Sequence, residues 1–247
     1  MAITFRPILF NTEMVRAILE GRKTKTRRLP KFQPEYGEEI RMRKNKEGKL
    51  AAWFYCEKPV LNAIIPSPWC GPEQEPPCQP GDVLWVRETW NVNNLREKEP
   101  GEFEVGFIYA ASEAPPNGFR WVKTSEENYQ KYEDGMSWNF SGWRPSIHMP
   151  KEAARIFLLV KSVTCERLKN IDGAEAEAEG ALVINNPLIR KDKATYDAAG
   201  RTCFARVWND TLSRDQAVRV GWERNPWVFV IEFERVDKPA EWEDYIK

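Results

Sequence analysis

The chain has 247 residues, and its 37 Lys and Arg are balanced by 37 Asp and Glu, so its formal net charge is zero. That length suits one large or two small domains, and 42% hydrophobic with 12% aromatic residues exclude a largely disordered chain. A mean hydropathy of −0.61 and the lack of any apolar run near ~18 residues exclude a membrane-spanning protein, while zero net charge removes any global reason to expect a nucleic-acid binder. The first residues, MAITFRPILFNTEMVR, lack a basic stretch followed by a long apolar one, so no secretory signal is expected. Five cysteines at irregular spacing suit a reducing cytosol rather than a disulfide scaffold, and the expected location is cytoplasmic.

Ile3–Phe10 reads as a strand, and Asn11 or Thr12 can cap a helix running to about Glu20. Met14, Val15, Ile18 and Leu19 share one face of it, and Gly21 is placed to end it in a left-handed conformation. KTKTRR follows at once, and Pro30 prevents the helix from resuming. Residues 38–55 read as a hairpin around KNKEGK. Residues 57–80 hold seven prolines without a sustained period and read as a loop or insertion. GDVLWVRETW begins with a turn and continues as a strand over Val83–Val86. The stretch from about 91 to 145 reads as irregular, with a strand at Glu104–Tyr109 and a polar run around Thr124–Gly135.

Ala154–Thr164 is a buried strand by composition. Asp172 then opens a short helix, with Glu175 three residues on in a capping-box-like arrangement, and that helix ends near Gly180. Residues 199–212 form a further helix with Phe204, Val207, Trp208 and Thr211 on one side, and PWVFVIEFERV reads as the last core strand. Short strands broken by short helices and long loops make this an α+β chain whose core is a barrel or curled sheet.

Charge is distributed unevenly. Residues 1–28 carry seven basic side chains against two acidic ones, and five of the seven residues from Arg22 to Arg28 are basic. The cluster is either a solvated turn or a contact for an anion or nucleic acid. A lysine among like charges is pushed toward its neutral form, in which it can act as a general base, and a nearby threonine hydroxyl can serve as nucleophile. Glu175 and Glu179 share a helical face, a like-charge pair that costs ~0.2–0.5 kcal/mol. Glu179 also sits at the negative end of the helix dipole, so it is badly placed unless a cation meets it or water solvates it. Cys56, Cys70 and Cys78 with the single His148 offer no CxxC or HxxxH spacing, so no metal is expected. Cys165 and Cys203 read as core thiols. No phosphate-binding Gly-rich loop, GxSxG or convincing Ser/His/Asp set occurs. Of the 11 Trp, one or two can stack on a base while the rest serve the core and loops.

Taken in order, GRKTKTRR after a strand and helix, GDVLWVRE, RPSIHMPKEAARI, LKNIDGAEAEAEGAL and WVFVIEF resemble the ASCH-domain family, and among its members the long versions of phages and prophages. The resemblance covers about 1–30, 81–90, 143–182 and 199–236. It implies a single PUA-like domain over 1–247, a β-barrel with short flanking helices and insertions at about 31–80 and 91–142. Small bacterial members are amidohydrolases that deacetylate N(4)-acetylcytidine with a lysine, a threonine and a glutamate, which correspond here to Lys23, Thr26 and Glu179. Arg28 matches a basic position of the same motif, and Arg22 and Lys25 join it as substrate-binding residues. The expected activity is metal- and cofactor-independent hydrolysis of N(4)-acylated cytidine or cytosine. The expected partners are a nucleoside or RNA-derived small molecule, with RNA as a further partner and no membrane. The competing expectations are a non-catalytic RNA or nucleic-acid reader and a ribonuclease using the same basic cleft. In a regular strand Lys23 and Thr26 fall on opposite faces, so they converge only if residues 21–24 are still turning out of the helix.

Overall fold

The structure is a computed structural model that describes residues 3–33, 39–55, 73–112, 120–135, 142–181 and 187–246. In chain order the elements are β1 (Phe5–Leu9), α1 (Thr12–Leu19), β2 (Lys25–Arg28), β3 (Glu39–Lys44), β4 (Leu50–Tyr55) and β5 (Val83–Arg87). Next come β6 (Trp90–Glu99), β7 (Glu102–Tyr109), β8 (Arg120–Thr124), α2 (Glu126–Gly135) and β9 (Phe157–Arg167). The last are α3 (Gly173–Ala178), α4 (Pro187–Lys191), α5 (Lys193–Asp210), α6 (Arg214–Val220), β10 (Trp227–Val236) and α7 (Trp242–Ile246). This is the mixed α+β class expected. Among the described residues no run of strand pairings closes on itself as a barrel, and no helix is long and apolar enough to cross a membrane.

Two compact units emerge, one from residues 1–21, 83–158 and 235–247, the other from 22–82 and 159–234. In the first unit β1 pairs parallel with β5, Phe5 opposite Val83 and Leu9 opposite Arg87. Asn11 caps α1 by accepting from the Met14 N–H, and Gly21, at φ +76°, closes it as its lack of Cβ allows. Trp242 of α7 is fully buried, with ring centroids 5.2 Å from Phe5, 5.6 Å from Trp85 and 5.0 Å from Phe157.

The stretch expected to be irregular is instead an antiparallel meander, β6–β7–β8, followed by α2. Only the first three residues of β6 are buried, so polar NNLREKE hides its pairing from an apolar-alternation reading. In α2 the apolar side rests on Tyr129 and Tyr132, which meet Phe103 and Phe107 of β7 at 4.8 and 5.8 Å.

In the second unit the order β9–β10–β2 forms a sheet, with β2 antiparallel to β10 and Thr26 opposite Ile231. The β3–β4 hairpin forms as expected, Glu39 opposite Tyr55 and Lys44 opposite Leu50. Much of the proline-rich stretch, with Cys56 and Cys70, lies outside the described residues. Its end returns to the hairpin, where Gln74 bridges Ala52 and the Gln79 side chain bonds both backbone groups of Leu50. Leu168, Ile171, Ala176, Phe204, Trp208, Val228 and Val230 form the core. Here α5 begins earlier than expected because Asp192 caps it, accepting from the Thr195 N–H. It crosses α3 so closely that a Cβ on Gly200 would lie 2.6 Å from the Gly173 Cα.

Candidate active site

The chain leaves α1 through Gly21 and enters β2 only at Lys25. In between, the Thr24 N–H donates to Ala178 O at 2.8 Å, and Thr24 O accepts from the Phe233 N–H at 2.9 Å. These two bonds fix Lys23 beside the end of α3 and β2 beside β10.

On the other side, Asp172 caps α3 by accepting from the Glu175 N–H at 2.9 Å, as the sequence predicts. Glu179 is its C-terminal cap, and Gly180, at φ +85°, turns the chain away. Lys23 Nζ donates to Glu179 Oε2 at 2.8 Å, to Glu179 O at 2.8 Å and to Lys25 O at 2.7 Å. The cation thus neutralises the misplaced carboxylate and also caps the helix end, where a positive charge is favourable. The Lys23 side chain is fully buried and Glu179 almost so.

Four neighbours complete the cluster. Arg27, also fully buried, donates through Nη1 to Glu179 Oε1 at 3.2 Å and through Nη2 to Glu166 at 2.7 Å and Glu175 at 2.9 Å. Lys25 Nζ meets the other oxygen of Glu175 at 3.1 Å. Lys23, Lys25 and Arg27 follow the two-residue period of a strand, and all three reach glutamates of the one α3 segment. The helical pair Glu175 and Glu179 is the complementary half of that pattern.

Burial lowers the Lys23 pKa, Glu179 opposes the shift, and Arg28 and Arg27 add to it. The opposing cations are therefore not Arg22 and Lys25, its sequence neighbours. For Arg27, burial pulls downward but Glu179, Glu166 and Glu175 outweigh it, so the guanidinium is held charged. Burial lowers Arg28 as well, against the pull of Glu179, so Arg28 lies within electrical reach of the cluster.

The candidate residues separate accordingly. Lys23 and Glu179 are in contact, Lys25 joins through Glu175, and Arg28 is half-buried beside them. Arg22 is exposed. Thr26 is buried, on the strand face opposite Lys25 and Arg27, and no hydrogen bond links its hydroxyl to Lys23 or Glu179. Residues 21–24 do turn, as convergence requires, yet the turn carries Lys23 to α3 rather than to Thr26.

Sequence reasoning placed Arg27 only in the basic run flanking Lys23, and missed both its pairing with the glutamates and Glu166 altogether. The available signal was the match between cations at positions i, i+2 and i+4 of a strand and carboxylates at i and i+4 of a helix.

Burial pushes the Cys165 thiol up to about 12, which leaves it an inert, half-buried sulfur. Among the described residues no group of His, Cys, Asp and Glu is arranged to hold a metal ion. No protein-family model matches the chain, and no curated protein or solved structure matches it either.

Proposed function

We propose that the chain is an amidohydrolase that removes the acyl group from N(4)-acylated cytidine or cytosine. The observation that carries this reading is the buried Lys23 Nζ held 2.8 Å from Glu179 Oε2. Burial weakens the ammonium's hold on its proton, which favours the neutral amine a general base needs, and the carboxylate in contact orients that amine. The resemblance of the ordered segments to the ASCH-domain family supplies the substrate class.

In this scheme Lys23 has lost its proton to solvent and works as a neutral amine beside the Glu179 carboxylate. The amine takes a proton from a water whose oxygen attacks the acyl carbonyl, and Arg28 stabilises the oxyanion. Glu179 relays that proton from Lys23 to the departing N(4) as the C–N bond breaks, giving the free cytosine amine and a carboxylic acid. Water is the preferred nucleophile because no hydrogen bond connects the Thr26 hydroxyl to Lys23. Arg22 and Lys25 then act on substrate binding. Every proton moves among these groups, so the scheme calls on no metal or cofactor.

The reading carries with it a PUA-like barrel in one domain, with the β6–β8 meander and α2 inside the second insertion, and a cytoplasmic protein acting on nucleosides or RNA fragments. One observation favours a non-catalytic RNA reader instead: all three Lys23 protons already have acceptors, as in a purely structural ion cluster.

A mass-resolved hydrolysis assay over a panel of N(4)-acylcytidines tests the assignment. The expected result is free cytidine with the parent protein, none with folded Lys23→Met and a lower rate with folded Glu179→Gln. No consumption of any substrate by the parent, together with salt-dependent RNA binding that Lys25→Gln weakens, overturns it in favour of the reader. RNA cleavage by the parent would overturn it in favour of a ribonuclease.

A further inference from the structure

Arg27 has no step in the hydrolysis, yet three carboxylates meet on it. It lies on β2 opposite Val230 of β10, and its side chain is fully buried. Nη1 donates at 3.2 Å to Glu179 Oε1, the oxygen that Lys23 does not take, while Nη2 donates to Glu166 Oε1 at 2.7 Å and Glu175 Oε2 at 2.9 Å. Glu166 belongs to β9, and Glu175 and Glu179 to α3 and its cap, so one guanidinium joins two elements. The Phe204 ring of α5 backs the group, its centroid 5.7 Å away.

The Nε of Arg27 is equally inaccessible and has no acceptor among the described residues. An unmatched buried N–H costs free energy, so the side chain is placed for its terminal fork alone. A planar fork held at both tips cannot rotate without breaking an ion pair, and the carboxylate it grips is fixed with it. Glu179 thereby presents Oε2 to Lys23 Nζ at 2.8 Å.

Charge acts in the same sense. Glu179, at the end of α3, favours the Lys23 ammonium, while Arg28 and Arg27 of β2 oppose it. Glu232 of β10, opposite Lys25, is exposed and accepts from the Ser162 hydroxyl instead. A cation on the far oxygen of Glu179 weakens the attraction that keeps Lys23 protonated and adds its own repulsion.

We propose that Arg27 is the positioning residue of the Lys23–Glu179 pair: it turns the Glu179 carboxylate toward Lys23 and keeps the Lys23 amine ready to accept a proton. Its part in hydrolysis rests on the amidohydrolase reading; its grip on the pair does not.

Two measurements test this. One is the titration of Lys23, followed by NMR on protein carrying ¹³C-labelled lysine, with the signal assigned by its loss in Lys23→Met. The other is the pH–rate profile on an N(4)-acylcytidine. Arg27→Gln removes the charge and is expected to move both the Lys23 midpoint and the rising limb upward by about one pH unit. That direction is opposite to the one expected of Glu179→Gln. Arg27→Lys keeps the charge and loses the fork. It should leave both midpoints at the parent's values while kcat falls about tenfold at unchanged KM.

Arg27→Gln strands three carboxylates, so Arg27→Gln combined with Glu166→Gln, which keeps the net charge of the cluster, replaces it if the single variant does not fold. Glu166 meets the pair only through Arg27, and the midpoint should still move upward. A Lys23 midpoint unmoved in the folded single or double variant overturns the proposal, as does a parental kcat in Arg27→Lys. Consumption of no acylcytidine by the parent defeats the hydrolase reading instead, and the Lys23 midpoint then decides the proposal.

Discussion

Gly200 of α5 sits directly against Gly173 of α3, with room for hydrogen but not for carbon: an added Cβ would come within 2.6 Å of the Gly173 Cα. A Cβ on Gly173 would in turn meet the Tyr196 ring at 2.5 Å and Tyr196 O at 2.9 Å. The position of α3, and through it of Glu175 and Glu179, depends on this approach. On an open helix face Gly→Ala adds about 1 kcal/mol of stability. Here the backbone clash opposes it, so Gly200→Ala should lower the unfolding free energy by about 1 kcal/mol or more in urea titration. A gain in stability would mean that the two helices do not touch.

The Lys23–Glu179 pair gives a second expectation. Lys23→Met takes from the buried Glu179 carboxylate its shortest ion pair, leaving Arg27 at 3.2 Å, and should cost about 3–5 kcal/mol. Lys23→Met combined with Glu179→Leu should cost less than the two changes summed, by about 1–3 kcal/mol. Strict additivity in that double-mutant cycle would show the pair is not coupled.

The pH dependence follows from the lowered Lys23 pKa. Between that lowered value and the usual lysine value, the unfolded chain holds a proton the folded protein has shed, so stability rises with pH across that window. Below it both states are protonated and the cost of burying the ammonium is carried in full. Denaturation of the parent and of Lys23→Met over neutral to alkaline pH should therefore differ by a rise that only the parent shows. Hydrolysis should rise through the same window and level off above it, and Glu179→Gln, which removes the charge holding Lys23 protonated, should move the limb to lower pH. A flat profile argues against Lys23 as the base.

A further contrast lies in the first unit. Arg155 donates to both oxygens of buried Glu88 at 2.8 Å and lies 3.9 Å over the Tyr109 ring. The Tyr109 hydroxyl donates to Ala153 O at 2.6 Å, an oxygen that Arg120 also reaches. Tyr109→Phe should cost only about 1 kcal/mol, because the acceptor keeps a donor. Arg155→Met strands a buried carboxylate and should cost about 3–5 kcal/mol by thermal or urea unfolding.

The elements that local chemistry specifies were legible in the sequence. Asn11, Gly21 and Asp172 cap or end helices by bonds to residues a few positions away, and the 38–55 hairpin turns on its own polar loop. The pairing of Lys23 with Glu179 was half legible, since a carboxylate at a helix end asks for a cation without saying which. The pairing of Arg27 was missed because its three glutamates lie about 140–150 residues away, a separation that no local period records. Of the meander over 90–124 only the middle strand was legible, because the exposed first strand carries almost no apolar alternation.

Trp242 closes an aromatic cluster begun by Phe5, Trp85 and Phe157, and so sets an order of events during synthesis. A nascent chain presents those three rings long before the fourth emerges, and the first unit cannot finish its core until residues near 242 have left the ribosome. Through that interval an incomplete apolar surface is open to solvent and to other chains. A stalled or prematurely ended product lacking α7 should therefore be caught by chaperones or aggregate, even with its other elements already made.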